Sequence, residues 1–283
     1  MSLKVTLDRD SLVYKSGETV TGKVAILNQA NTQHAGLSVA VKGTLHLLPR
    51  KEQSGVEQVY TVLRKTKQLM PGGKILGNTE IDFSLLLQPE SDYELYETYH
   101  GRHVAVEYVV IAELTRTGLK KALRTSVDFI LQNPSNDEGK EVQKAFEIKD
   151  IGGIPDSLIK GHLQTLVIDI AKPIEGEIEI VSAPVIEEIL LQVVRYEKIT
   201  TPEINLESVS DAQTLEVVTG NIERNVKVPL YCILQKFVVS PSLETNKFKV
   251  SYMLRLSVKY KDQSSNSREH YFDIPVRVQR LRN

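Results

Sequence analysis

Hydrophobic and polar residues alternate with a period of two along most of the chain. Leu37-Ser38-Val39-Ala40-Val41, Val104-Ala105-Val106-Glu107-Tyr108-Val109-Val110 and Phe248-Lys249-Val250-Ser251-Tyr252-Met253-Leu254-Arg255-Leu256 set the pattern. Successive side chains of an extended backbone point to opposite faces, so such runs predict strands with one buried and one wet face. About fifteen runs of this kind are expected, most of them ~5 to 10 residues long. Turn-rich pieces such as Lys15-Ser16-Gly17-Glu18, Pro71-Gly72-Gly73-Lys74 and Gln263-Ser264-Ser265-Asn266 separate them. No long segment carries a helical repeat. Strands at this spacing without intervening helices predict an all-β chain, its antiparallel sheets stacked as immunoglobulin-like sandwiches.

The pattern also repeats. Val20-Thr21-Gly22-Lys23-Val24-Ala25-Ile26-Leu27 returns 154 residues on as Ile174-Glu175-Gly176-Glu177-Ile178-Glu179-Ile180-Val181. The alternation from Val104 to Val110 returns 144 residues on, from Phe248 to Leu254, and Val127-Asp128-Phe129-Ile130 matches Phe272-Asp273-Ile274-Pro275 at an offset of 145. Three matches in order, with an offset that drifts as loops change length, predict two copies of one sandwich in tandem. The polar, proline-bearing segment Gln132-Asn133-Pro134-Ser135-Asn136-Asp137-Glu138-Gly139-Lys140 is the expected boundary. The expected domains are therefore 1–133 and 141–283, with a linker at 134–140.

Composition narrows the function classes. In 283 residues, 35 Lys+Arg stand against 36 Asp+Glu, a balance that excludes the strongly basic nucleic-acid binders. The single cysteine, Cys232, permits no intrachain disulfide and no Cys-based zinc site, so a reduced cytosolic setting is expected. Met1-Ser2-Leu3-Lys4-Val5 is no apolar leader, and no run approaches the ~18 apolar residues of a membrane span, so membrane contact is expected to be peripheral.

Candidate chemistry is sparse. His100 and His103, with Glu97 nearby, are the only clustered histidines, and a metal site needs a further ligand and a shaped cavity. Cys232 lies inside the alternating run Pro229-Leu230-Tyr231-Cys232-Ile233-Leu234, where a small buried hydrophobe is expected rather than a nucleophile. Gly72-Gly73-Lys74 lacks the Ser/Thr and the helix of a phosphate loop. Arg116, Lys120, Lys121 and Arg124 around Gly118 read as a charged hairpin tip open to an anionic-lipid contact. No catalytic constellation forms and no cofactor is called for, so binding or scaffolding is favoured over catalysis.

Two segments stand out. Tyr93, Tyr96 and Tyr99 share a loop with Glu97, His100 and Gly101 ahead of the strand from Val104; such aromatics either pin a loop or offer contact area to a partner. In Thr214-Leu215-Glu216-Val217-Val218-Thr219-Gly220-Asn221, which follows a polar stretch read as a loop, Val217 and Val218 should point to opposite faces of a strand. One of them is then left outside unless a partner or further core covers it.

These residues carry a resemblance. Tyr14-Lys15-Ser16-Gly17-Glu18-Thr19-Val20-Thr21-Gly22-Lys23-Val24 is similar to the opening strand motif of the arrestin clan. Leu95-Tyr96-Glu97-Thr98-Tyr99-His100-Gly101 resembles the signature of the vacuolar protein sorting-associated protein 26 family, the arrestin-like subunits of retromer and retriever. Lys160-Gly161-His162-Leu163 leading to Pro173-Ile174-Glu175-Gly176-Glu177, and the run from Pro241 to Val250, resemble the retriever branch of that family. The likeness covers nearly the whole chain and departs most at 49–60 and 200–213.

The resemblance implies two arrestin-like sandwiches and a non-enzymatic subunit of a cytosolic assembly peripheral on endosomes. The implied partners are an α-solenoid subunit of the vacuolar protein sorting 35-like kind, through it a small phosphoesterase-fold subunit, and a sorting-nexin cargo adaptor. It implies docking on the solenoid by a hairpin of the C-terminal sandwich, whose matching residues here are Leu215, Glu216, Val217, Val218, Thr219, Gly220 and Asn221. The Asp-Gly usual at that turn is Thr219-Gly220 here. Retromer-type retrieval and a free-standing arrestin-domain adaptor are the alternatives; the latter commonly carries Pro-Pro-x-Tyr motifs, which this sequence lacks.

Overall fold

The computed structural model describes residues 1–27, 32–48, 56–89, 94–135, 143–220, 222–234, 239–261, 264 and 266–282. They form nineteen strands and one 3-10 turn, and the chain divides into two compact units, Met1–Asn133 and Pro134–Asn283. Of the expected linker, only Pro134 and Ser135 are described, and Ser135 bridges to Leu281 within the second unit.

The first unit contains β1 (Ser2–Leu7), β2 (Val13–Tyr14), β3 (Thr19–Leu27), β4 (Thr32–Leu47), β5 (Gln58–Ile75), β6 (Thr79–Leu86), β7 (Tyr99–His100), β8 (Val104–Arg116) and β9 (Leu123–Leu131). One sheet has the order β1-β3-β6, the other β2-β9-β8-β4-β5 with β7 on β8. The second unit contains β10 (Lys144–Lys149), the 3-10 turn Ile151–Gly153, β11 (Leu158–Leu163), β12 (Val167–Asp169), β13 (Pro173–Ser182), β14 (Ile186–Thr200), β15 (Asn205–Thr219), β16 (Lys227–Ile233), β17 (Leu243–Glu244), β18 (Phe248–Lys261) and β19 (Ser267–Gln279). Its sheets run β10-β11-β13-β16 and β12-β19-β18-β14-β15, with β17 on β18. Apart from β10, each strand of the second unit has a counterpart in the first. This includes the parallel pair at the edge, β2 with β9 in one and β12 with β19 in the other. Both units are arrestin-like β-sandwiches.

The inner faces hold the core that the alternation predicted. Val39, Val41, Val106 and Val110 are fully buried in the first unit, as are Ile180 and Leu254 in the second. The repeated glycines have a steric reason. A Cβ on Gly22 would stand 2.2 Å from the Thr6 carbonyl oxygen, and one on Gly176 would stand 2.4 Å from that of His162. In both units a neighbouring strand passes too close for any side chain at that point.

Several local readings are corrected. Pro71-Gly72-Gly73-Lys74 is not a turn: it closes β5 and pairs with β4, Pro71 opposite Gly36 and Lys74 opposite Gln33. An edge strand tolerates the proline because its outward side needs no ladder partner. The stretch 205–213 is likewise strand, the first part of β15. Its inward positions include Ser208 and Ser210, which hide the alternation from a hydrophobicity reading. The third repeat match is out of register. Tyr108 pairs with Phe129 and Tyr252 with Val276, so β9 and β19 correspond at an offset of 147, where the even shift of two residues preserves the face.

Candidate functional site

The segment matching the family's docking hairpin lies at the end of β15, an edge strand paired only with β14. Its geometry differs from a regular strand. Val218 pairs with Ile189 and Glu216 with Leu190, leaving Val217 as the extra residue of a β-bulge. A second register shift at Val193/Val194 leaves Ala212 as another. Bulges re-aim side chains and increase twist, so strict alternation fails here. Val218 is buried, 7% exposed, while Leu215 and Val217 are half-buried and Glu216 and Thr219 exposed.

The segment is not a hairpin. Gly220, at φ +80°, donates to the Glu187 carbonyl over 2.7 Å, and the chain then crosses to β16 in the opposite sheet. Lower down, Gln213 Nε2 donates to the Ile233 carbonyl across the same opening at 2.9 Å. Asn221 lies outside the described residues. Over its whole length β15 carries Glu207, Asp211 and Glu216 and no basic residue.

The tyrosine loop is tied to its own sandwich. Tyr108 donates its hydroxyl to the Tyr96 carbonyl at 2.7 Å, and burial pushes that phenol's pKa well up. Thr98 donates its amide to the Leu131 carbonyl at 2.9 Å and accepts the Leu131 amide on Oγ1 at 2.8 Å. Glu97 accepts the Asn133 amide at 2.8 Å, and the Asn133 side-chain amide reaches the Leu95 carbonyl. Tyr99 is 7% exposed and pairs with Val106; Gly101 donates to the Val104 carbonyl at 2.8 Å. Tyr93 lies outside the described residues.

The same clamp recurs 144 residues on. The Tyr252 hydroxyl accepts the Ser240 amide at 3.1 Å, Ser242 exchanges the same pair of bonds with Val278 at 2.7 and 3.0 Å, and Leu243 pairs with Val250. The two family-like strings, around Tyr96 and around Pro241, thus occupy one structural position in two sandwiches. Sequence reasoning found both but not their equivalence; projecting the offset of 144 onto Thr98 would have named Ser242.

The remaining candidates do not converge. His100 Nδ1 lies 3.7 Å from Glu107, His103 is buried with Nδ1 3.0 Å from the Leu48 carbonyl, and Glu97 serves Asn133. Among the described residues no three His, Cys, Asp or Glu side chains assemble as metal ligands, and no helix is long and apolar enough to cross a membrane. Cys232 is buried in β16, and desolvation pushes its thiol pKa up, away from the reactive thiolate. In the basic hairpin, Arg116 donates to the Lys121 carbonyl at 2.6 Å and Arg124 pairs with Glu113 at 2.6 Å, leaving Lys120 and Lys121 as exposed cations.

Comparison with known proteins agrees with this architecture. The vacuolar protein sorting-associated protein 26 family profile matches residues 4–263. Vacuolar protein sorting-associated protein 26C of Dictyostelium discoideum is 28% identical over 286 aligned residues, covering 92% of this chain and 94% of its own. With that profile running from β1 through β18 and so covering most of the chain, the chain belongs to the vacuolar protein sorting-associated protein 26 family of protein-sorting subunits.

Proposed function

We propose that the protein is the arrestin-like subunit of a retriever-type endosomal sorting complex, recruited peripherally to endosomes for recycling to the plasma membrane. In this reading it docks on an α-solenoid subunit, through which it meets the phosphoesterase-fold subunit, and helps present cargo held by a sorting-nexin adaptor. The near full-length match to a 26C relative carries the choice of branch. The docking surface is the end of β15, from Leu215 to Asn221. A bulged edge strand with half-buried Leu215 and Val217 suits it: apolar anchors stand beside unpaired main-chain groups. The acidic side chains of β15 favour a partner with a basic rim.

Co-purification with the solenoid subunit tests this. Val218 is packed in the core, so a charge there would unfold the strand; the informative variant is Leu215→Asp/Val217→Asp, checked for fold by circular dichroism. Wild type is expected to bind, and the folded variant to lose at least about tenfold in affinity. Equal binding by both moves the docking surface elsewhere. Binding only to the retromer solenoid keeps the sorting role and changes the branch.

A further inference from the structure

The end of the first sandwich opposite its clamp loop carries an arrangement that the proposed docking does not use. Leu119, at the tip of the β8–β9 turn, is 106% exposed; Leu76, in the β5–β6 turn, is 73% exposed; Leu27, closing β3, is 49% exposed. Strand register brings all three to one end: Gln33 pairs with Lys74, His34 with Arg116, and Ile26 with Thr79. Thr117 Oγ1 also lies 3.5 Å from the Gln33 carbonyl, tying the β8–β9 turn to the start of β4. The segments 71–78 and 115–124 carry the exposed cations Lys74, Lys120 and Lys121 and hold no acidic residue.

We propose that this end is a membrane-contact site, in which Leu76 and Leu119 insert at the headgroup boundary of an anionic bilayer while the lysines engage lipid phosphates. The form of the surface selects the acceptor. Protein hot spots lie in packed pockets ringed by further contacts, whereas these leucines are separate, convex tips on Gly-containing turns, with Gly77 and Gly118 at φ +74° and +72° in open space. Apolar tips among basic side chains match a fluid, negatively charged interface. The corresponding stretch of sequence between β18 and β19 in the second sandwich, residues 262–266, has no apolar residue, so the fold does not require one there.

Flotation of the full chain with vesicles tests the site. Wild type is expected to bind phosphatidylserine-containing vesicles in a salt-sensitive manner and to leave pure phosphatidylcholine vesicles unbound. Leu76→Asp/Leu119→Asp should lower binding by at least about tenfold, and Lys120→Gln/Lys121→Gln by about fivefold per charge, with a flatter salt dependence. The altered side chains touch little of the fold, so unchanged circular dichroism is expected. Absence of binding to anionic vesicles, equal binding to both compositions, or wild-type flotation of the leucine variant would each overturn the proposal. The last outcome would assign the leucines to a protein partner.

Discussion

The two sandwiches pair their strands almost identically yet fill equivalent inner positions in opposite ways. In the first, Gly43 faces Tyr108 and Leu45 faces Val106. In the second, the corresponding Arg195 faces Tyr252 and Glu197 faces Val250. A Cβ at Gly43 would meet the Tyr108 ring at 2.5 Å, so the ring occupies the room that a side chain would take. Arg195 instead lies beside Tyr252, with its Nε 3.7 Å from Glu197 and 3.3 Å from Ser210 Oγ, and the Glu197 side chain is only 1% exposed. One β-framework therefore accepts an apolar or an ionic filling, provided each buried charge is matched.

Removing one side of that match gives the largest expected effect. Arg195→Ala removes the cation beside the buried Glu197 carboxylate and should lower the stability of the second sandwich by about 3–5 kcal/mol. Arg195→Met/Glu197→Leu, which brings the site closer to its apolar counterpart, should be neutral or stabilising by about 1–4 kcal/mol. Urea unfolding followed by amide hydrogen exchange resolved for each sandwich checks both, and a double variant as damaged as the single one would show that the pair does more than fill space.

The clamps give a smaller, matched pair. Thr98→Val removes the acceptor of the Leu131 amide and Ser242→Ala that of the Val278 amide, so each should destabilise its own sandwich by about 1–2 kcal/mol. A loss confined to one sandwich would break the equivalence drawn from their geometry.

Alternation along β3, β8 and β18 made the fold class and its duplication legible, because there one face is apolar and the other polar. It misled where a strand is glycine-rich, as at Gly72-Gly73, or where inward positions are polar, as at Ser208. The segment proposed for docking stood out in the sequence as two adjacent valines. The bulge that makes Val217 the extra residue did not, since a register shift depends on both strands and leaves no mark on either alone. Leu76 and Leu119 escaped notice for a related reason: a lone leucine in a turn gains meaning only when pairing brings two turns to one end.

The smallest effect concerns pH and separates the sandwiches at one turn. Glu18 in the first corresponds to Lys172 in the second. Partial burial raises the Glu18 pKa, but the Arg9 guanidinium at 2.7 Å and the Lys15 amide at 3.0 Å outweigh it and hold the carboxyl below its ordinary value. A depressed folded value adds stability that is fully present above the unfolded pKa of about 4.3 and is lost as pH falls through the folded one. Arg9 and Glu18 side chains remain 43% and 34% exposed, so solvent screening keeps the contribution under about 1 kcal/mol. Glu18→Gln should therefore lower the stability of the first sandwich slightly at neutral pH and flatten its acid decline, leaving the second unchanged. An equal acid response in variant and wild type would place the sensitivity on other carboxylates.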